Sequence, residues 1–381
     1  MKSKKNSERT VQRDIKKLLQ KGVYEEVFPC AAAGISIGIG KEKRKIITFF
    51  GNASLYPEKR KLKKNTCFDL ASLTKPLATT MAILCLVKMR KIDVDETLSS
   101  LLEKKIKDEK KKINIKQLLG HCSGFPAHRE YFQILKDIPV NERGEVVETL
   151  LLREELEYTP ENRVIYSDLG FMLLGRIIEK KSGYSLEQFV KEMVLQPLNL
   201  EKNIFFNPLF DSNHSHKNKE FAATENCPWR KKILCGEVHD DNCYAMGGVA
   251  GHSGLFGDIE SVTTYAGFIL DMWKGVATHP NIESRDLVNF LVRQKKTPGS
   301  SRTLGFDTTA KSGSSSGKYF SKKTIGHLGF SGTSLWIDPE KEVVVVLLSN
   351  RVHPSRANTK IVQFRPFFHD RALERIFPIV K

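Results

Sequence analysis

The segment FDLASLTKPLATT, residues 68 to 80, decides the fold on one question: are Ser72 and Lys75 a nucleophile with its base, or a helix cap followed by a charge? Its polar approach runs into Leu77, Ala78, Met81, Ile83 and Leu84, which predicts an apolar helix over 75 to 90. Residues three apart on a helix share a face, so Lys75 can reach the Ser72 hydroxyl. Pro76 removes a backbone donor and crowds the carbonyl of Ser72, which places the serine at the very start of the helix. Free N–H groups and the helix dipole favour negative charge there. A hydroxyl is a weak nucleophile until a base takes its proton. Lysine serves as that base near neutral pH only if burial or a neighbouring cation lowers its pKa. From these residues alone a cap, by Ser72 or Thr74 with Lys75 in solvent, stays open.

Outward from this segment, AAAGISIGIG (31 to 40) and KIITFFGNASLY (45 to 56) read as two strands joined by a charged turn. Before them, Val11, Ile15, Leu18 and Leu19 form one helical stripe. From about 92 to 300 the chain is mainly helical, with IKQLLG, GEVVETLLLREEL, GFMLLGRIIEKKSG, SLEQFVKEMVLQPL and VTTYAGFILDMWKG as the clearest segments. Gly183 suits a C-cap, and Ser185 with Gln188 a capping pair. Strands return in IGHLGF, SGTSLWIDP and KEVVVVLLSNR, followed by a last helix, RPFFHDRALERIF. The order predicts an α+β fold: an antiparallel sheet built from both chain ends and flanked by helices, with an inserted mainly helical domain. The expected division is 1–91 plus 301–381 for the sheet and 92–300 for the helices, with a cleft between. The first and last helices are expected on one face of the sheet and the 75 to 90 helix on the other.

The 381 residues suffice for one large core or two modest ones. A formal charge of +17 is concentrated in blocks such as KEKRK (41 to 45) and EKKIKDEKKKINIK (103 to 116), which favours anions in general. These blocks lack interleaved aromatics and any nucleic-acid-binding signature, and are expected to be solvated; no specific nucleic-acid partner is expected. The longest apolar run, VVVVLL at 343 to 348, is far too short for a membrane span. The basic start lacks the apolar segment of a leader, so a cytoplasmic protein is expected. Seven cysteines, an odd number, suggest free thiols, and the wide steps between Cys227, Cys235 and Cys243 miss structural zinc spacing.

Two further motifs bear on Ser72. VIYSDLGFMLLG (164 to 175) sets Tyr166 and Asp168 just before an apolar helix, as a core ring and an N-cap or as chemical groups. TIGHLGFSGTSLW (324 to 336) sets His327 two residues before Gly329 on a strand. Ser-x-x-Lys, Tyr-x-Asp and His-x-Gly in this order resemble the serine beta-lactamase and penicillin-binding-protein superfamily, and within it the class C related serine hydrolases and esterases. The resemblance runs over nearly the whole chain, through CFDLASLTKPLATT, INIKQLLGHCSGFP, YSDLGFMLLGRIIE, GEVHDDNCYAMGGVAGHSGLFG and GHLGFSGTSLWIDPEKEVVVVLLSNRVHP. It implies Ser72 as nucleophile, Lys75 as its base partner and Tyr166 as the second proton-transfer group. It also implies an oxyanion hole from the backbone N–H groups of Ser72 and Phe330. No cofactor and no metal are implied.

Two departures bear on substrate. Asp168 stands where the family usually has asparagine; ionised, it only accepts, and it would hold Lys75 charged and shift the base role towards Tyr166. His327 and Leu328 stand where beta-lactamases usually carry lysine and threonine, which bind a substrate carboxylate, so a small neutral ester, amide or peptide-like substrate is expected. A beta-lactamase or D-amino-acid peptidase is the alternative, and a catalytically inactive basic binding protein the non-enzymatic one. GSSSG (313 to 317) imitates a nucleophile elbow but lacks the flanking strand and helix; as a loop before the His327 strand it could border the pocket. His239, Asp240, Asp241 and His252 raise a metal question, but the surrounding glycines argue first for a tight loop lining the cleft. His121 and Cys122 in GHCSGFP read as a structural turn.

Overall fold

The computed structural model describes residues 2–380 except 103, 105, 210–215, 217 and 311. Parts of the 103 to 116 block and of the 313 to 317 loop's approach therefore lie outside the described residues. The sheet has seven strands: β1 (Cys30–Ile37), β2 (Arg44–Ser54), β3 (Arg60–Lys61), β4 (Asp307–Thr308), β5 (Ile325–Leu328), β6 (Ser334–Asp338) and β7 (Val343–Ser349). Their order is β3-β2-β1-β7-β6-β5-β4, and every adjacent pair is antiparallel. Both chain ends thus build one sheet, joined where Ala31 faces Ser349 and Ile37 faces Val343.

The unbroken apolar run of β7 follows from burial on both faces. Val343, Val345 and Leu347 enter one core with α1 (Lys2–Tyr24) and α5 (Ile361–Val380), while Val344, Val346 and Leu348 enter the other. Val11, Ile15 and Leu19 of α1 are buried against the sheet, as the sequence stripe requires.

The opposite face is covered by a different helix from the one expected. It is α4 (Ile259–Trp273) that packs on β1, β6 and β7, whereas α2 (Thr80–Lys88) packs chiefly among helices, against α3 (Asp168–Ser182) and residues 190–195. The close approach rests on one small residue: Gly34 leaves room for Thr263, whose hydroxyl stands 1.8 Å from where a Cβ at Gly34 would lie. Asp271 adds a bond from the Gly40 N–H at 3.0 Å and an ion pair with Lys43 at 2.6 Å. We propose the division 1–91 plus 301–381 and 92–300 for sheet and helical units, with α4 counted with the sheet.

Helix ends follow the sequence closely. Gly183 closes α3 with φ of 82°, and Ser185 caps the next helix by accepting from the Gln188 N–H at 3.2 Å. The basic blocks are less uniformly solvated than expected. Lys43 is largely buried on Asp271, and Lys110 is fully buried and donates to the Leu152 carbonyl at 2.9 Å.

Candidate active site

The approach to Ser72 is fixed from below by a buried carboxylate. Asp69 accepts the Ala71 N–H at 2.8 Å and the His239 N–H at 2.7 Å, tying the serine turn to the 236–257 segment. Ala71 adopts φ of 48°, a left-handed conformation that costs a residue with a Cβ about 1–2 kcal/mol. Ser72 then sits in a 3₁₀ turn (Ala71–Leu73) ahead of a wide π-helical turn (Lys75–Thr79) that contains Pro76. Neither Ser72 nor Thr74 caps the helix. Thr74 Oγ1 donates to the Ala71 carbonyl at 2.7 Å, and Ser72 Oγ accepts from Lys75 Nζ at 3.0 Å.

Lys75 has no exposed surface, and its ammonium faces three oxygens: Ser72 Oγ at 3.0 Å, the His252 carbonyl at 3.1 Å and Asp168 Oδ1 at 2.7 Å. Burial pulls its pKa down, but the charges of Asp168 and Tyr166 and hydrogen bonds to them outweigh burial and hold it above its ordinary value. Asp168 is not the N-cap of α3. Ser167 takes that place by accepting the Gly170 N–H at 3.3 Å, which frees Asp168 for Lys75. Burial would raise the Asp168 pKa; Lys75, His128 and His252 together hold it well below the usual carboxylate range.

Tyr166 stands over Lys75, with Nζ 4.9 Å from the ring centre. Burial raises the phenol's pKa, opposed by the Lys75 charge and by hydrogen bonding to Lys75 and Ser72. Its backbone is clamped by His121, a residue expected only to turn the chain. The His121 carbonyl accepts the Ile165 N–H at 3.0 Å, its Nδ1 accepts the Ser167 N–H at 3.0 Å, and its ring lies 4.6 Å from that of Tyr166.

The facing wall is the end of β5. His327 is buried and donates from Nδ1 to the Leu328 carbonyl at 2.8 Å, and burial, then Lys75, push its pKa well below the ordinary value. Gly329 is pressed on the serine turn: a Cβ there would lie 2.0 Å from Thr333 Oγ1 and 2.7 Å from the Leu70 carbonyl. Phe330 follows at the rim, 52% exposed, between His239 and Arg351. The cleft of about 620 Å³ brings together Ser72, Tyr166, Asp168, His327, Gly329 and Phe330, with Lys75 beneath its floor.

His239 and Asp240 line this cleft, and each has a side-chain atom engaged by protein. His239 Nε2 meets Glu225 at 3.1 Å; Asp240 accepts the Cys243 N–H at 2.7 Å and meets His252 Nε2 at 2.9 Å. GSSSG does not border the cleft. The Ser315 carbonyl accepts from His369 Nδ1 at 2.8 Å, so the loop lies on α5 instead. His128 and Arg302, both lining the cleft, carried no signal in the sequence, each being a single residue in a loop.

Fold and site together define a serine hydrolase. The sequence pattern of the Beta-lactamase family matches residues 17–364, and the chain belongs to that family. Its relatives include a protein of Salmonella gallinarum named "Putative D-alanyl-D-alanine carboxypeptidase", 32% identical over 78% of this chain and 72% of its own length. Among solved structures, the octameric penicillin-binding protein homologue from Pyrococcus abyssi superposes with a TM-score of 0.71 at 19% identity, covering 96% of this chain and 77% of its own. EstCE1, described as a hydrolase with promiscuous acyltransferase activity, gives a TM-score of 0.71 at 18% identity, covering 96% of this chain and 99% of its own.

Proposed function

We propose that the protein cleaves an ester or amide through a covalent acyl-enzyme on Ser72. The observation that carries this reading is the run Ser72 Oγ, Lys75 Nζ, Asp168 Oδ1, with steps of 3.0 and 2.7 Å. Lys75, held charged by Asp168, orients Ser72 and offsets negative charge on Tyr166. Tyr166, as the phenolate, takes the Ser72 proton, delivers it to the leaving group and later activates water. The N–H groups of Ser72 and Phe330 receive the oxyanion, each worth about 3 kcal/mol in the transition state.

Leu328 offers no hydroxyl and His327 is held neutral, which suits a neutral ester or amide better than a penicillin-like acid. Peptides ending in D-amino acids are the second reading, favoured by the name of the Salmonella relative and by Arg302 and Arg356 in the cleft. Among the described residues no helix is long and apolar enough to cross a membrane. All seven cysteines are unpaired, which suits the reducing cytoplasm we propose as its setting.

Intact mass after treatment with a fluorophosphonate and, separately, a penicillin tests the reading, with Ser72→Ala beside the native chain. A stoichiometric adduct that vanishes in the variant supports it, and the reagent that reacts chooses between esterase and peptidase. A folded native protein that takes neither label would overturn it and favour a basic binding protein.

A further inference from the structure

The helix α5 carries an arginine where its packing calls for an apolar residue. Arg365 lies on the stripe of Ile361, Phe368 and Ala372, and is itself only 7% exposed. Its guanidinium has carbonyls as hydrogen-bond partners: it donates to the Gly329 oxygen at 2.6 Å and to the Thr333 oxygen at 2.8 Å. Among the described residues no carboxylate lies in ion-pair contact with it, and the charge that bears on it is a second cation, Arg351. Burial and Arg351 draw its pKa down to about 9, which leaves it charged at neutral pH. A buried charge without a counter-ion is costly, and here it is spent on two peptide carbonyls.

The shorter of the two bonds holds the peptide between Gly329 and Phe330. The Gly329 N–H donates to the Thr333 carbonyl at 2.8 Å, and the Gly329 carbonyl also accepts the Gly332 N–H at 3.1 Å, so both Gly329 groups face the β6 side. In a trans peptide the N–H points opposite to the C=O, so the Phe330 N–H emerges on the other edge of β5. That edge is open: β4 pairs only with Ile325 and Gly326, and Leu328 to Phe330 line the cleft.

We propose that Arg365 is a positioning residue for the oxyanion. By gripping the Gly329 carbonyl it fixes the Phe330 N–H towards the cleft beside Ser72. Its unneutralised charge polarises the peptide, so the N–H donates more strongly as negative charge forms. The proposal rests on the acyl-enzyme reading above. When the Ser72 oxygen bonds to the substrate carbon, the carbonyl π pair moves onto oxygen and the Ser72 proton goes to Tyr166; Arg365 exchanges no atom or proton.

The test compares Arg365→Met and Arg365→Lys in the full chain, on p-nitrophenyl acetate and on its thionoester, whose larger, softer sulfur fits an oxyanion hole poorly. Expected for Arg365→Met is a loss of roughly tenfold or more in kcat, with KM little changed and a reduced preference for oxygen over sulfur. Arg365→Lys restores part of both. Packing damage alone slows both esters alike, so an unchanged oxygen-to-sulfur ratio with a live Ser72 overturns this inference alone. Failure of the native protein to form a Ser72 adduct overturns it together with the reading beneath it.

Discussion

With Tyr166 as the base proposed above, Asp168 is expected to set the pH at which the site works. Tyr166 must lose a proton to act as a base, and burial, with Asp168 adding to it, raises its pKa while Lys75 opposes. The rate is therefore expected to climb with pH above neutrality. In Asp168→Asn the larger of the two charges that together offset the burial of Lys75 is gone, so the lysine pKa falls and the phenol is relieved of a neighbouring negative charge. The alkaline rise in kcat/KM should move to lower pH by about one unit or more; an unmoved profile would show that Asp168 does not control the ionisation. That Ser72, Lys75 and Tyr166 lie together was legible because spacing and order mark them. Asp168 was ambiguous until Ser167 was seen to take the cap. Arg365 shows in the sequence only as a charge that interrupts the stripe of Ile361, Phe368 and Ala372.

Between elements, the contact of β1 with α4 depends on one missing side chain. A Cβ at Gly34 would meet Thr263 Oγ1 at 1.8 Å and Ile47 Cδ1 at 3.2 Å. Gly34→Ala is expected to destabilise the fold by about 1–3 kcal/mol, read from urea midpoints, with Thr263→Ala recovering part of the loss. Among the described residues the Thr263 hydroxyl bonds within its own helix, to the Ile259 carbonyl at 2.6 Å, so removing it is cheap. Equal stability of Gly34→Ala and the native chain would mean that the helix shifts freely on the sheet. Periodicity found α2 and α4 but could not tell which meets the sheet, since both are apolar over most of their surface. The deciding fact, a glycine opposite a threonine, joins positions 34 and 263 and has no local signature. The buried strands were easier, because a run such as VVVVLL fits few other places.

At the scale of the whole molecule, buried histidines give stability an early acid limb. His369 is neutral inside, held down to about 3 by burial, although its hydrogen bond to Ser315 opposes this; His121 and His327 are also held well below the ordinary value, burial first. For each, the unfolded chain takes up a proton below about pH 6.5 and the folded chain does not, so stability falls as pH drops from there. Glu225 acts in a second window. Burial would raise its pKa, but His239 and Arg356 outweigh burial and bring it to about 2, so its contribution is full above about pH 4.5 and is lost as pH falls towards 2. Urea midpoints should decline from about pH 6.5 and more steeply below the carboxylate range. A flat profile between pH 7 and 5 would count against the buried histidines. The overall order of strands, helices and strands was readable because both ends of the chain carry β-type runs.

That same order has a consequence in time. The partner of β1 comes at residues 343 to 349, with Ala31 set against Ser349. At ribosomal speed roughly 15 to 60 s pass between the two. Ser72 is made early in that interval, whereas Gly329 and Phe330 come at its end and Arg365 after it. A half-synthesised chain thus carries the proposed nucleophile without the wall that faces it, and the last strands and helix to emerge complete both the sheet and the cleft.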